Sequence, residues 1–442
     1  MRKRVIAETA PGEEELADQV IRIKANDVES GLAALKSCAL PALSRAESLQ
    51  RYYAEWFPAT VLAQWLAGRP GAEGEDLLSR REFSCEADDG SGGEKRIRYL
   101  AYQDAAGLRA EFLRLLPLRY DIGPVYDASP RDRYRRINKL EPVERELVFD
   151  VDLDVYESVS ALGQSEPAGA AANFADDPLR ACADNWLFVE AAVTVMEQAL
   201  REDFGYEHVL WVFSGRRGVH AWVCDTRARQ LTDEARAAIV EYLQYRGISA
   251  VSNRSSLSST FNRTATTFLH PALRRAATIL LPFMDRFLEE RPSIWADEGA
   301  MDTVLGMCPD AQVRETLRRF IQRSHTRESA AAVWRLALEQ LDSKRLDTDA
   351  AMHIVLGLLY PRLDVNVTRQ RNHLLKGPFS IHPKTNAICV PFRADLVSKF
   401  RPERDVPRLV PLVTGDAKAQ KQLRAALDIM EAFVTELYHA DT

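Results

Sequence analysis

The sequence predicts a mixed α/β fold, a sheet-based core into which a helical segment is inserted, on three observations. Short apolar or alternating runs of strand type occur at 81–85 and 96–100, at 146–155, and at 208–213 and 219–224. Helical spacing then holds almost unbroken from Thr232 to about Leu356, and strand-type runs return at 363–367 and 379–392. Residues 1–228 and 356–442 are therefore expected to be two parts of one core, with 229–355 inserted between them. The chain has 442 residues, 46% hydrophobic and 28% charged, with a mean hydropathy of -0.26. These values exclude bulk disorder and a miniprotein held by disulfides or metal.

Taken in order, Leu43, Leu49, Tyr52, Tyr53 and Trp56 recur at helical spacing until Pro58 stops the run. The two strands at 81–85 and 96–100 flank a glycine-rich hairpin loop, Asp89–Gly93. A helix at Gly107–Leu116 leads into a basic segment, Arg131-Asp132-Arg133-Tyr134-Arg135-Arg136. Glu146–Val155 reads as a buried strand, followed by a Gly/Ala/Pro-rich loop at Gly163–Ala175. Leu179–Phe204 reads as a helix ended by Gly205, and Thr232 is placed to cap the next helix with Asp233 and Glu234 in its first turn. Pro383–Asn386 makes a turn between the late strands, and an amphipathic helix from Asp416 to His439 closes the chain.

Charge and cysteine content narrow the function classes. Lys and Arg number 58 against 64 Asp and Glu, a net charge of -6, so nucleic-acid contact has to come from local patches rather than from a generally basic surface. Six scattered cysteines suit a reducing compartment and offer neither a disulfide framework nor a complete zinc knuckle. No run of apolar residues is long enough to span a bilayer, and the N-terminus reads as neither a secretory signal nor an anchor.

Candidate chemistry concentrates in three blocks. In ELVFDVDLDVY, Asp150 and Asp152 stand two apart, so on a strand both carboxylates leave one face while Phe149 and Val151 leave the other. Adjacent carboxylates repel, and a divalent cation is their natural neutraliser; an edge strand with solvated acids is the plainer alternative. Asp364 in PRLDVNV offers a third acid from a second strand, or a strand-end turn aspartate. Three acids could hold the two metal ions of in-line nucleotidyl transfer. Ser214-Gly215-Arg216-Arg217-Gly218-Val219-His220 collects glycine amides, a hydroxyl, two guanidiniums and an imidazole, a set suited to a triphosphate and equally readable as a basic hairpin turn. His373, Lys376 and His382 follow the third acid; the lysine would serve phosphate as a point charge.

Together ELVFDVD, WVFSGRRGVHAWVCD and PRLDVNV followed by NHLLKGPFSIHPKTNAICVPF resemble the catalytic (small) subunit of archaeo-eukaryotic DNA primase, eukaryotic type. RYYAEWFP, REFSCE, RYDIGPVY and EDFGYEHVLW support the resemblance, which covers roughly residues 50–395. It implies a mixed-sheet catalytic core with an inserted helical subdomain. It also implies Asp150, Asp152 and Asp364 as ligands of Mg²⁺ or Mn²⁺, and phosphate contacts from Ser214, Arg216, Arg217 and His220 with Lys376 and His382. Glu82 of the REF motif and Arg98 on the neighbouring strand join the site on the same ground. The implied activity is de novo synthesis of RNA primers from ribonucleoside triphosphates on single-stranded DNA. The implied setting is nuclear, with a large primase subunit and the DNA polymerase alpha complex as partners. A primase-polymerase using deoxynucleotides for repriming and a non-catalytic scaffold subunit are the rival readings. One departure stands out: where the family carries a zinc-binding cysteine cluster ending in Cys-x-x-Cys-Trp, this chain has Cys182-Ala183-Asp184-Asn185-Trp186. With one thiol and no histidine there, structural zinc is expected to be absent.

Overall fold

The structure is a computed structural model that describes residues 43–68, 77–90, 93–163, 177–247 and 268–439. The N-terminal sequence, part of the Asp89–Gly93 loop and the Gly/Ala/Pro-rich loop lie outside these residues. The chain divides into two units, Met1–Ser48 and Leu49–Thr442, and among the described residues the strands belong to the second.

Two antiparallel sheets carry the strands. In the first, β1 (Arg81–Asp88) pairs with β2 (Glu94–Leu100) and with β3 (Arg119–Tyr126), which also pairs with β4 (Pro142–Glu144). The second has the order β5 (Leu147–Asp152), β7 (Gly218–Val223), β6 (Val209–Phe213), β9 (Pro391–Phe392), while β8 (Leu375–Lys376) joins β3 of the first. The mixed sheet implied by the resemblance is thus corrected: among the described residues every pairing is antiparallel. The reason is the connections, since only five residues separate β1 from β2 and four separate β6 from β7, too few for the long crossover that a parallel pair needs.

Alternation fixes which face of the first sheet is buried. Phe83, Cys85, Tyr120 and Ile122 pack with Tyr53, Phe57, Tyr102 and Phe112 in a cluster of edge-on rings, covered by α1 (Ala59–Ala67) and α2 (Ala105–Leu115). Glu82, Ser84, Arg119 and Asp121 belong to the other, polar face.

Two strand expectations fail locally. The run 363–367 is not a strand: Leu363 makes one bridge to Val151, and Asp364 then caps a short helix, accepting from the Asn366 amide at 3.0 Å. A side chain that satisfies the backbone this way competes with strand pairing, and period-two spacing alone does not reveal it. The stretch 379–392 keeps its turn but has only the isolated Ile381–Ile388 and Ala387–Arg408 bridges and β9, because Phe379 and Asn386 have positive φ and prolines remove ladder donors. The expected long helix at 179–204 is divided at Asn185 into α3 (Pro178–Asp184) and α4 (Trp186–Gln198), with an irregular turn before Gly205 at φ 66°.

From Thr232, which caps α5 (Asp233–Leu243) as expected, the described chain to Leu359 is helical: α6 (Pro271–Glu289), α7 (Glu298–Leu305), α8 (Ala311–Ser324), α9 (Ala330–Ser343) and α10 (Thr348–Leu359). The α6 helix packs on α4, α9 and α10, burying Leu280, Met284 and Phe287. Helix α11 (Val365–Arg369) comes next, and α12 (Ala417–His439) closes the chain. Among the described residues no helix is long and apolar enough to cross a membrane.

Candidate active site

The β5 strand delivers the first two acids. Phe149 and Val151 are buried in the core, whereas Asp150 keeps a quarter of its side chain exposed and Asp152 is exposed. Across the antiparallel pair Asp150 faces His220 and Asp152 faces Gly218 on β7, which brings His220 Nε2 to 3.7 Å from Asp150 Oδ1. Gly218 has to be glycine, because a Cβ there would lie 2.3 Å from the Val151 carbonyl oxygen. The third acid arrives by backbone anchorage: the Asp364 amide donates to the Asp150 carbonyl at 3.1 Å, and Thr368 Oγ1 donates to that of Val148 at 2.7 Å. Asp152 and Asp364 each use one carboxylate oxygen to accept from a backbone amide two residues on, which orients them.

The β6–β7 turn supplies the cationic wall. It closes through Ser214 N to Gly218 O at 2.9 Å and Gly218 N to Ser214 Oγ at 3.2 Å. Gly215 at φ 90° allows the chain to pass within van der Waals reach of His382, where a Cβ would be 2.7 Å away. Arg217 pairs with Asp154. Lys376, held by the β3–β8 pair, reaches across from the first sheet and donates to Ser214 O at 2.9 Å.

A cavity of about 240 Å³ is lined by Asp150, Asp152, Asp364, Ser214, Arg216, Arg217, His220, His373, Lys376 and His382. Arg119 also lines it, paired with Asp121 at 2.8 Å, a position to which its RYDIGPVY motif gave no role. Its place on the strand, two before a buried acid on the polar face of β3, was the available signal. Glu82 and Arg98 are not in the cavity lining. Glu82 is fully buried, bound by Arg98 at 2.9 Å, by the Tyr126 hydroxyl at 2.9 Å and by the Tyr99 amide at 3.3 Å, which makes it a tie within the first sheet.

Electrostatics divides the cavity. Burial, then the neighbouring carboxylates of Asp152 and Asp364, push Asp150 up to about 7, and burial raises Asp152 as well. On the other wall burial first and neighbouring cations second lower His220 and His382 to about 3, so both are neutral at pH 7, and burial lowers Lys376. His373 is lowered by burial.

Among the described residues no three His, Cys, Asp or Glu side chains close around a point as a ready-made metal cage. The donor set still fits Mg²⁺ or Mn²⁺: hard carboxylate oxygens at the edge of a phosphate-sized, cationic cavity, where such ions keep waters and complete their shells with substrate oxygens. Cys182 is buried within α3, its thiol pushed well up by burial, and Trp186 packs beside Phe213 and Phe400 while its indole donates to Val397 O at 2.9 Å.

The chain's similarities agree with this geometry. A family model described as DNA primase small subunit matches residues 149–394, spanning all three acids and the basic turn. The DNA primase small subunit of Drosophila melanogaster is 35% identical over 86% of this chain and 85% of its own length. That of Schizosaccharomyces pombe is 34% identical over 81% and 75%, and the PriS subunit of Haloarcula marismortui is 27% identical over 54% and 56%. Matched over more than half its length by the family model and over most of it by such relatives, the chain belongs to the DNA primase small-subunit family.

Proposed function

We propose that this cavity performs two-metal nucleotidyl transfer, by which the chain, the catalytic subunit of a DNA primase, joins ribonucleotides into primers on single-stranded DNA. One observation carries the reading: the three acids and the phosphate-suited turn, more than 60 residues apart in sequence, line one cavity with opposite charge on its two walls.

Asp150, Asp152 and Asp364 would hold the divalent ions, which when bound lower the pKa of the attacking hydroxyl and stabilise the leaving pyrophosphate. The chain's own residues orient and neutralise. Arg216 and Arg217 offer planar two-point contacts to triphosphate oxygens, Lys376 and Arg119 add charge from the first sheet, and the Gly215–Gly218 backbone permits close approach. Neutral His220, beside Asp150, can donate one hydrogen bond without repelling a cation.

The reading carries further proposals. Residues 229–355 act as a helical subdomain inserted into a core made by residues 1–228 and 356–442. The chain works in the nucleus with a large primase subunit and the DNA polymerase alpha complex. The test is dinucleotide formation on an unprimed homopolymer template with complementary labelled NTP or dNTP and Mg²⁺ or Mn²⁺. Preference for dNTPs would favour a repriming primase-polymerase, and no product would favour a scaffold subunit.

A further inference from the structure

The basic segment after β3 takes no part in the cavity. We propose that it forms the outer end of a path for single-stranded template that runs from the cavity over the polar face of the first sheet. This path rests on the primase reading of the cavity and adds where the template lies.

The path is continuous through shared partners. Arg119, in the cavity lining, and Arg96 on β2 both pair with Asp121, at 2.8 and 3.3 Å. Arg96 and Arg98 stand two apart on one strand, so their side chains leave the same face, with relative exposures of 50% and 38%. Arg98 lies 5.0 Å from the centre of the Tyr99 ring, and Arg133 lies 4.6 Å from that ring and 4.1 Å from the ring of Tyr134. Arg131 sits 5.7 Å over Tyr102.

Acids temper parts of this surface: Glu82 binds Arg98, Asp127 binds Arg136 at 2.5 Å, and Asp132 lies 3.6 Å from Arg135. Arg131 is opposed by Glu111 as well as lying against Tyr102, whereas Arg133 lies against the rings of Tyr99 and Tyr134. At the end of the row Tyr134 is 85% exposed and Ile137 fully exposed. A chain of net charge -6 that displays a large aromatic ring beside stacked guanidiniums is presenting two things at once, cations for phosphates and a π-face for an unpaired base. Duplex bases are already stacked on one another and cannot use that face, so the fit is to a single strand. The array is also suited to sequence-tolerant binding, because every base has a π-face.

The experiment uses the full chain, circular dichroism to verify folding, and a labelled oligothymidylate titrated by fluorescence anisotropy over a series of salt concentrations. The combined Arg131→Ala, Arg133→Ala, Tyr134→Ala variant is expected to bind about tenfold more weakly, and its salt dependence should flatten by roughly 1 to 1.5 in log–log slope, about 0.7 for each phosphate no longer neutralised. Tyr134→Phe should bind as the parent does, and the KM for nucleotide at saturating template should stay the same in all variants. Unchanged affinity and slope would overturn the path, even if the variant lost a protein partner instead. Equal weakening by Tyr134→Phe and Tyr134→Ala would overturn the stacking role. Failure of the parent to make dinucleotides would sink the primase reading while leaving this binding comparison intact.

Discussion

Replacing Asp150 with Asn should stabilise the metal-free protein at alkaline pH while abolishing primer synthesis. Asp150 rises from 3.8 to about 7 in the folded chain, because the carboxylate is buried beside two others. A shift of about three units corresponds to roughly 4 kcal/mol held against the ionised folded state, at about 1.4 kcal/mol per unit. A quarter of the side chain remains exposed, so solvent screening brings the figure to about 2 kcal/mol. The folded state binds this proton more tightly than the unfolded chain does. The favourable contribution is therefore present below about pH 4 and is lost as pH rises towards 7. In chelator the parent should lose stability between about pH 4 and pH 7, whereas Asp150→Asn, neutral and nearly isosteric, should not. The variant should melt higher at pH 8, by about 2 °C for a chain of this length, and close to the parent near pH 4. Added Mn²⁺ should raise the parent's melting temperature more than the variant's. Primer synthesis should fall by orders of magnitude. A folded variant that melted at or below the parent at pH 8, or that made primers at near-parental rate, would refute the carboxylate-cluster argument.

Asp364 combines a cap with a carboxylate, so Asp364→Asn should keep the melting temperature and lose synthesis, whereas Asp364→Ala should lose both, with a cap penalty of about 1 kcal/mol seen in thermal melts. Gly218→Ala would place a Cβ 2.3 Å from Val151 O and force β5 from β7; destabilisation of about 1–3 kcal/mol by denaturant titration is expected, with synthesis reduced further through displaced Asp152. Arg217→Ala and His220→Ala should act chiefly on apparent KM for nucleotide, with a smaller fall in kcat, and steady-state kinetics that showed kcat alone changing would contradict the phosphate-binding role.

Legibility in the sequence followed the range of the interaction. Asp150 and Asp152 were readable because a period of two on a short apolar run fixes the face locally, and Thr232 because capping is a matter of three residues. The Ser214–His220 turn was readable because its closure, Ser214 N to Gly218 O and Gly218 N to Ser214 Oγ, lies within the turn itself, although its glycines also answer to Val151 and His382. What failed was set by distant partners. Asp364 looked like a strand residue, and only the bond from its amide to the Asp150 carbonyl, 214 positions away, explains why one bridge forms and a helix then begins. Glu82, placed in the site by its motif, has its carboxylate held by Arg98 and Tyr126, partners that the motif alone does not reveal. Arg119 went unassigned because its nearness to the cavity depends on β8, a two-residue strand contributed from residue 375 onward.

The same long-range dependence determines how the cavity works as a unit. Its acids belong to the second sheet and to the helix hung from it, whereas Arg119 and Lys376 belong to the first. The two sets meet where Lys376 Nζ donates to Ser214 O and where Thr385 Oγ1 donates to Gly215 O at 2.7 Å. The span between the acids and the bases Arg119 and Lys376 is thus set by how the two sheets are joined, whereas Arg216, Arg217 and His220 share the second sheet with Asp150 and Asp152. A triphosphate with bound divalent ions is matched in charge to both walls and would draw them together, while without them burial and the neighbouring carboxylates raise Asp150 and burial lowers Lys376. Substrate and metal should for that reason bind cooperatively, each lowering the electrostatic cost that the other meets.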